Sequence, residues 1–129
     1  MNHQIKSKER VAAHGEVFTS EREVNAMLDL VKPETERIDS RFLEPACGDG
    51  NFLIEILRRK LAVCEGSVKA KQYTQLQYEQ AAVQSVSSVY GIELLADNAE
   101  ACRERLLNYF TERITLFSNQ SAKTNAPEA

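Results

Sequence analysis

The sequence predicts an α/β fold, an open parallel sheet with helices on both faces. Three observations predict it. Hydrophobic patterns follow the order helix, strand, helix, helix, strand, helix. A glycine-bearing turn joins the first strand to the next helix, and the second strand ends in a carboxylate. With 129 residues there is room for one domain. We expect residues 1–117 to form it, as an N-terminal helical segment (1–38) and an α/β core (39–117), followed by a disordered tail (118–129).

The first predicted helix begins at Ser20. Ser20 and Glu23 have the spacing of a capping box, in which each side chain caps a backbone N–H of the other. The next apolar residues recur at the spacing of one helix face, and Pro33 is predicted to end the helix. These residues are Val24, Met27, Leu28 and Val31.

A buried strand is predicted at Arg41–Glu44, where a short apolar run ends at Pro45. Cys47–Gly50 is the tight turn, and a helix follows it directly. The helix is predicted to end near Gly66. Its apolar face consists of Leu53, Ile56, Leu57 and Leu61.

The second half of the chain repeats the pattern of helix, strand and helix. A helix is predicted before Ser88–Glu93, which is the second strand, and another runs from Asp97 to about Arg113. Ile114–Phe117 is predicted to begin a third strand. The apolar faces are Tyr73, Leu76, Val83 and Val86 in the first helix and Ala99, Cys102, Leu106 and Tyr109 in the second.

The composition is that of a globular protein, with 43% hydrophobic and 27% charged residues. Apolar runs fall short of the ~20 residues that span a membrane, and no apolar stretch follows the N-terminus as in a signal peptide. We therefore expect a cytoplasmic protein without a membrane partner. The net charge is −3 and basic residues alternate with acidic ones, which argues against strong DNA binding by this chain alone. The three cysteines are well separated, so we expect free thiols rather than disulfides or a zinc site.

Three segments are predicted to meet at the carboxyl ends of the strands, where open α/β sheets bind ligands. The turn at Glu44–Phe52 lets the backbone approach a ligand closely, because its glycines lack Cβ atoms. Glu93 can accept hydrogen bonds from two neighbouring ribose hydroxyls. Val17–Ser20 can hold a carboxylate at a helix start. A dinucleotide fits poorly, because Leu53 replaces the third glycine of that motif and the acid follows at about twice the usual spacing of about 20 residues.

These motifs resemble the N-terminal, S-adenosylmethionine-binding part of N6-adenine DNA methyltransferases of restriction–modification systems. Leu43–Leu53 is similar to their glycine motif at nearly every position. Gly15–Thr19 resembles their methionine-binding motif, although Ser20 stands where proline is usual. Val89–Glu93, followed by Asn98, resembles their ribose-binding motif. The similarity covers roughly residues 8–110, with the motifs in the family's order.

The resemblance implies a cofactor, S-adenosylmethionine, and a role for each matching residue. Thr19 and Glu44 would contact the methionine part, Glu93 would bind the ribose, and Ile92 or Leu94 would border the adenine. Asp49 would support the turn or hold a water near the amino group. No catalytic or metal-binding residue is assigned. The cofactor-binding residues implied are Phe18, Thr19, Glu44, Pro45, Ala46, Cys47, Gly48, Asp49, Gly50, Glu93 and Leu94.

One family motif has no counterpart in these residues. The methyltransferases hold the target amine with Asn or Asp followed by Pro-Pro and an aromatic residue, whereas this chain contains no Pro-Pro; the nearest string is Asn125–Glu128. The resemblance therefore implies a partial Rossmann-like methyltransferase fold that lacks the later strands. Such a truncated or split enzyme would be inactive alone.

Three partner relationships follow from this interpretation. A second chain would supply the catalytic motif and target recognition, or copies of this chain would associate through an exposed sheet edge. DNA would be bound only by the complete enzyme. Two alternative functions stay open: a non-catalytic, partner-binding or regulatory module that keeps the fold, and a small methyltransferase with a different acceptor.

Overall fold

The computed structural model describes residue 8 and residues 19–124, and this part of the chain is mixed α/β but mostly helical. A 3₁₀ turn at Asp29–Val31 joins the first two helices. The predicted α/β class is confirmed at this level. In chain order the elements of residues 19–124 are α1 (Glu21–Leu28), α2 (Lys32–Thr35), β1 (Phe42–Glu44), α3 (Asn51–Lys69), α4 (Gln75–Ser87), β2 (Val89–Gly91) and α5 (Ala96–Thr124).

The two strands form a parallel pair, in which Leu43 lies opposite Tyr90. The helices α3 and α4 connect them, as predicted for a helical crossover. Phe42 and Val89 pack on the core, whereas Leu43 and Tyr90 on the other face are 62% and 49% exposed. The prediction of helices on both faces is therefore wrong for residues 19–124, where this second face lies open.

The core lies around α3, which is buried along most of its length. Its amino-terminal half packs on α1, the turn after β1 and α5, and its later turns pack on α4 and the far part of α5. All four residues of its predicted apolar face are buried. The core residues are Val24, Leu28, Cys47, Leu53, Ile56, Leu57, Leu61, Cys64, Tyr78, Ala81, Ala82, Cys102 and Phe117.

The start of α1 agrees with the sequence. The Ser20 hydroxyl accepts a hydrogen bond from the Glu23 N–H at 3.3 Å, and Val24 and Leu28 are buried. Met27 and Val31 of the predicted face are instead exposed. Pro33 does not end this helical region but lies in the first turn of α2, where proline's missing N–H costs little.

Helix α3 continues through Gly66 to Lys69, so the predicted break at this glycine is wrong. A glycine in a helix costs about 1 kcal/mol relative to alanine. The helical turn around Gly66 is held by Cys64, which is buried in a core cluster, and by Val68, which packs against that cluster. Packing therefore overrides the local preference.

In α4 the buried face is rotated from the predicted one. Leu76 and Val83 are 62% and 56% exposed. The residues that face α3 are mostly small, which allows the two helices to approach closely. They are Tyr78, Ala81, Ala82 and Ser85.

The predicted third strand, Ile114–Phe117, is part of α5. Ile114 and Phe117 are three residues apart, as on one helix face, and Phe117 packs on Tyr78 with the ring centroids 4.6 Å apart. The helix extends to Thr124, so residues 118–124 are helical rather than a disordered tail. Within residues 19–124, no helix combines the length and apolar character needed to cross a membrane.

Candidate functional site

The turn after β1 and the segment after β2 are joined by backbone hydrogen bonds. The Ile92 N–H donates to the Glu44 carbonyl at 3.0 Å, and the Cys47 N–H donates to the Ile92 carbonyl at 3.0 Å. Two of the three segments predicted to meet at the carboxyl ends of the strands therefore do so. Glu93 follows directly after this junction.

Two glycines in the turn adopt backbone angles that other residues rarely take. Gly48 has φ 56° and Gly50 has φ 99°, both in the left-handed region. The Gly50 N–H donates to the Cys47 carbonyl at 2.9 Å, and Gly50 begins α3 without a side-chain cap. The first N–H groups of this 19-residue helix therefore keep the partial positive charge of a helix N-terminus.

Gly91 is required by close packing between β2 and the turn. A Cβ at this position would lie 2.8 Å from both Cys47 Sγ and Leu53 Cδ1. Such a contact is too short for any side chain, so the backbone of β2 rests directly on the turn and on the first residues of α3. This packing sets the position of Glu93 relative to the glycine turn.

The two carboxylates at the strand ends are half-buried and locally fixed. Glu44 Oε1 accepts a hydrogen bond from the Ala46 N–H at 3.0 Å, and Glu93 Oε1 accepts one from the Leu95 N–H at 3.1 Å. A carboxylate can accept about four hydrogen bonds. Each side chain is therefore held in place and can still accept hydrogen bonds from a ligand's hydroxyl or ammonium groups.

Asn51 and Arg105 connect the turn to its surroundings, and neither was among the predicted site residues. The Asn51 amide donates to the Thr19 carbonyl at 2.8 Å, which brings Thr19 of the third predicted segment to the turn. Arg105 donates to Asn51 Oδ1 at 2.8 Å and to the Asp49 carbonyl at 3.2 Å. Asn51 follows the glycines directly, which is a usable signal, but nothing in the sequence links it to an arginine in α5.

Asp49 has an oxygen that is buried but incompletely satisfied. Its Oδ1 lies 3.4 Å from the Arg105 guanidinium and makes no hydrogen bond within the described part of the chain. A buried polar oxygen without a hydrogen bond is unfavourable and invites a donor. The atom is thus a candidate acceptor for a ligand N–H or a water in the turn.

A cavity of about 320 Å³ lies between β2 and α5. Of the predicted residues, Cys47 and Glu93 line it, and Arg103 adds a cation opposite. A larger cavity, of about 650 Å³, lies at the far ends of α3 and α5 and contains none of the predicted residues. Because Glu93 and Cys47 of the turn both line the smaller one, we place the candidate site there.

Three other predicted residues lie on the surface rather than in the cavity. Pro45 and Ala46 are exposed, and Leu94 is 83% exposed. Phe18 lies outside the described residues.

Burial raises the pKa of the Cys47 thiol and keeps it neutral, unlike the thiolate of a nucleophilic cysteine. Residues 19–124 contain no cluster of three or more His, Cys, Asp or Glu side chains that could hold a metal ion.

Carboxylate oxygens at this junction can accept hydrogen bonds from the hydroxyl or ammonium groups of a polar ligand. Glu93 lines the 320 Å³ cavity, whereas Glu44 and Asp49 do not. A comparison of the chain with family models, with curated protein sequences and with solved structures finds no match in any of the three.

Proposed function

We propose that this chain is the S-adenosylmethionine-binding portion of a site-specific adenine DNA methyltransferase, with a partial Rossmann-like fold. The observation that carries the proposal is the junction at the carboxyl ends of β1 and β2. There a glycine turn that resembles the family's motif is hydrogen-bonded to the segment that bears Glu93. Both motif carboxylates are half-buried at that junction, and the turn leads into an uncapped helix N-terminus.

The residues present fit the cofactor's functional groups. Glu93 would accept hydrogen bonds from the two ribose hydroxyls. Glu44 and the unsatisfied Asp49 Oδ1 would accept from the ammonium group of the methionine part, near Thr19. The N–H groups that begin α3 suit its carboxylate. When bound, S-adenosylmethionine supplies an electrophilic methyl group.

Titration calorimetry with S-adenosylmethionine tests the binding function. We expect saturable binding of one cofactor per chain, and no binding of NAD under the same conditions, because the turn lacks the dinucleotide spacing. A folded chain that binds neither would contradict the proposal. A chain that binds NAD alone would replace the cofactor assignment.

Methyl transfer by these residues alone is not part of the proposed function. Without Asn/Asp-Pro-Pro-aromatic residues there is no site for a flipped target base, so the reaction has no positioned acceptor. Purified chain, DNA and labelled S-adenosylmethionine should give no label in DNA above background. Sustained turnover would instead favour a small methyltransferase that acts by other residues.

The open sheet face supports a second candidate, a non-catalytic module that binds a partner protein. Leu43 and Tyr90 are exposed side by side, although parallel sheets are normally covered on both faces. The same calorimetric titration separates the two candidates. A partner-binding module that has lost the cofactor would give no heat of binding.

A further inference from the structure

Two buried thiols meet beside the glycine turn. Cys47 lies in the turn and Cys102 in α5, and their side chains belong to one core cluster with 9% and 5% of their surface exposed. Cys102 packs closely against the turn that holds Cys47. Gly50 allows this approach, because a Cβ there would lie 2.8 Å from Cys102 Sγ.

The pair can be reached by small molecules through the 320 Å³ cavity between β2 and α5. Both cysteines line it, together with Glu93 and Arg103. The third cysteine, Cys64, is fully buried in a different cluster, where its thiol lies 3.5 Å from the Ser85 hydroxyl. It does not line this cavity. The chain thus contains two adjacent thiols and one separate thiol.

We propose that Cys47 and Cys102 are a modification site at which a small peroxide forms a reversible intramolecular disulfide. One of the two sulfurs attacks one peroxide oxygen, which breaks the O–O bond, leaves that cysteine as a sulfenic acid and releases water. The sulfur of the other cysteine then attacks the sulfenic acid sulfur and displaces a second water. Two thiols are oxidised, hydrogen peroxide is reduced to two waters, and a dithiol reductant reverses the reaction.

The geometry does not distinguish the two sulfurs. Either can attack the peroxide first, because both side chains line the cavity. Burial raises the pKa of both thiols, so the reduced pair persists near neutral pH and reacts faster as pH rises. The inference concerns thiol chemistry and does not require cofactor binding, although both cysteines line the cavity of the candidate site.

Peptide mapping of the oxidised wild-type chain tests the proposal. The folded chain is treated with hydrogen peroxide, its free thiols are alkylated, and it is digested without reductant for mass spectrometry. We expect a cross-linked peptide pair that contains Cys47 and Cys102, lighter than the dithiol form by two hydrogen atoms, together with alkylated Cys64. Dithiothreitol should restore both thiols.

Two further samples show whether the cross-link is specific to Cys47 and Cys102 in the folded chain. Cys64→Ser should give the same cross-link, and oxidation in denaturing urea should give mixed pairs that include Cys64. Native oxidation that yields Cys64-containing or intermolecular disulfides would overturn the proposal, as would full alkylation of all three cysteines after the peroxide treatment. Since the wild-type map needs no substitution at the pair, a variant that fails to fold would not affect the result.

Discussion

Glu93 is the residue whose role can be separated most cleanly from folding. Its Oε1 fixes the Leu95 N–H just before α5, a structural bond that glutamine can also accept. Only the charged form binds two ribose hydroxyls strongly. Glu93→Gln should therefore weaken S-adenosylmethionine binding by about 1.5–3 kcal/mol, the range for hydrogen bonds that involve a charge. Calorimetry on both chains measures the difference.

The control for this change is Glu104→Gln, an exposed carboxylate in α5. It should leave the affinity unchanged and show that net charge is not the cause. Equal affinities of wild type and Glu93→Gln would remove the ribose role from Glu93.

Burial of the thiols makes the free energy of unfolding fall at alkaline pH. Burial raises the pKa of Cys102 to about 12, with the neighbouring Cys47 adding to the effect, whereas an unfolded cysteine ionises near pH 8.5. The folded chain therefore holds this proton more tightly than the unfolded chain does. Its contribution to stability is complete below about pH 8.5 and is lost as pH rises toward 12, by at most about 1.4 kcal/mol per pH unit.

Urea unfolding between pH 7.5 and 10 tests this dependence. Wild type should lose stability across that range, and Cys102→Ala should lose less, whatever its stability at pH 7.5. Because lysines and tyrosines titrate equally in both chains, the difference between the two slopes isolates the thiol. Parallel slopes would show that Cys102 titrates normally.

At the scale of elements, Lys60 of α3 fixes the amino-terminal ends of both strands. Its side chain is fully buried, and its ammonium donates to the carbonyls of Ile38 and Ser40 before β1 and, at 2.6 Å, to the Ser88 hydroxyl before β2. These three acceptors match its three protons. Lys60→Met keeps most of the side-chain volume but leaves all three oxygens without this donor.

The free energy of unfolding of Lys60→Met should fall by about 3 kcal/mol, since each unsatisfied buried polar group costs about 1–3 kcal/mol. Lys69→Met, an exposed position in the same helix, should change it by less than about 0.5 kcal/mol. Chemical denaturation measures both. Similar small effects at the two sites would mean that the strands do not depend on this lysine.

Local sequence signals predicted the features that a few neighbouring residues determine. The start of α1, the turn at Cys47–Gly50 and the buried face of α3 follow from a cap, from glycines and from helical spacing. These features depend on residues that are close in the sequence. They can therefore be predicted without knowing the tertiary contacts.

The incorrect predictions lie where contacts between residues distant in the sequence determine the structure. Gly66 stays helical because neighbouring side chains are buried, and α4 buries small residues because α3 lies against them. Residues 114–117 have side chains that favour strands, but no glycine or proline among them ends α5. Phe117 also packs against Tyr78 in the helical conformation. The same limit applies to the site. Its glycine turn and Glu93 could be predicted, whereas the link from Arg105 to Asn51 spans 54 residues.

The whole molecule has a sheet that is small for its class. Residues 19–124 contain a two-stranded parallel sheet, and Leu43, Tyr90 and Ile92 lie exposed on or next to one of its faces. The hydrogen bonds of Phe42 and Glu44 point to β2, so the backbone groups of Leu43 between them point to the open edge of β1. An open edge next to an apolar face favours association with another chain.

In the absence of a partner, we expect the purified chain to associate with itself through this face. Its melting temperature should rise with protein concentration, because association stabilises the folded state by mass action. Leu43→Lys places a charge on the face and should shift the chain to a monomer with a lower melting temperature. Leu107→Lys is the matched control, since this leucine is 63% exposed on α5 and Leu43 is 62% exposed.

Light scattering and thermal melting at several concentrations distinguish the outcomes. If Leu43→Lys and Leu107→Lys have equal effects, the association does not use the sheet face. A wild-type chain that is a monodisperse monomer, with a high melting temperature that does not vary with concentration, would be complete without further strands. That result would count heavily against a portion of a larger methyltransferase, because such a portion must leave its open edge for the strands that it lacks.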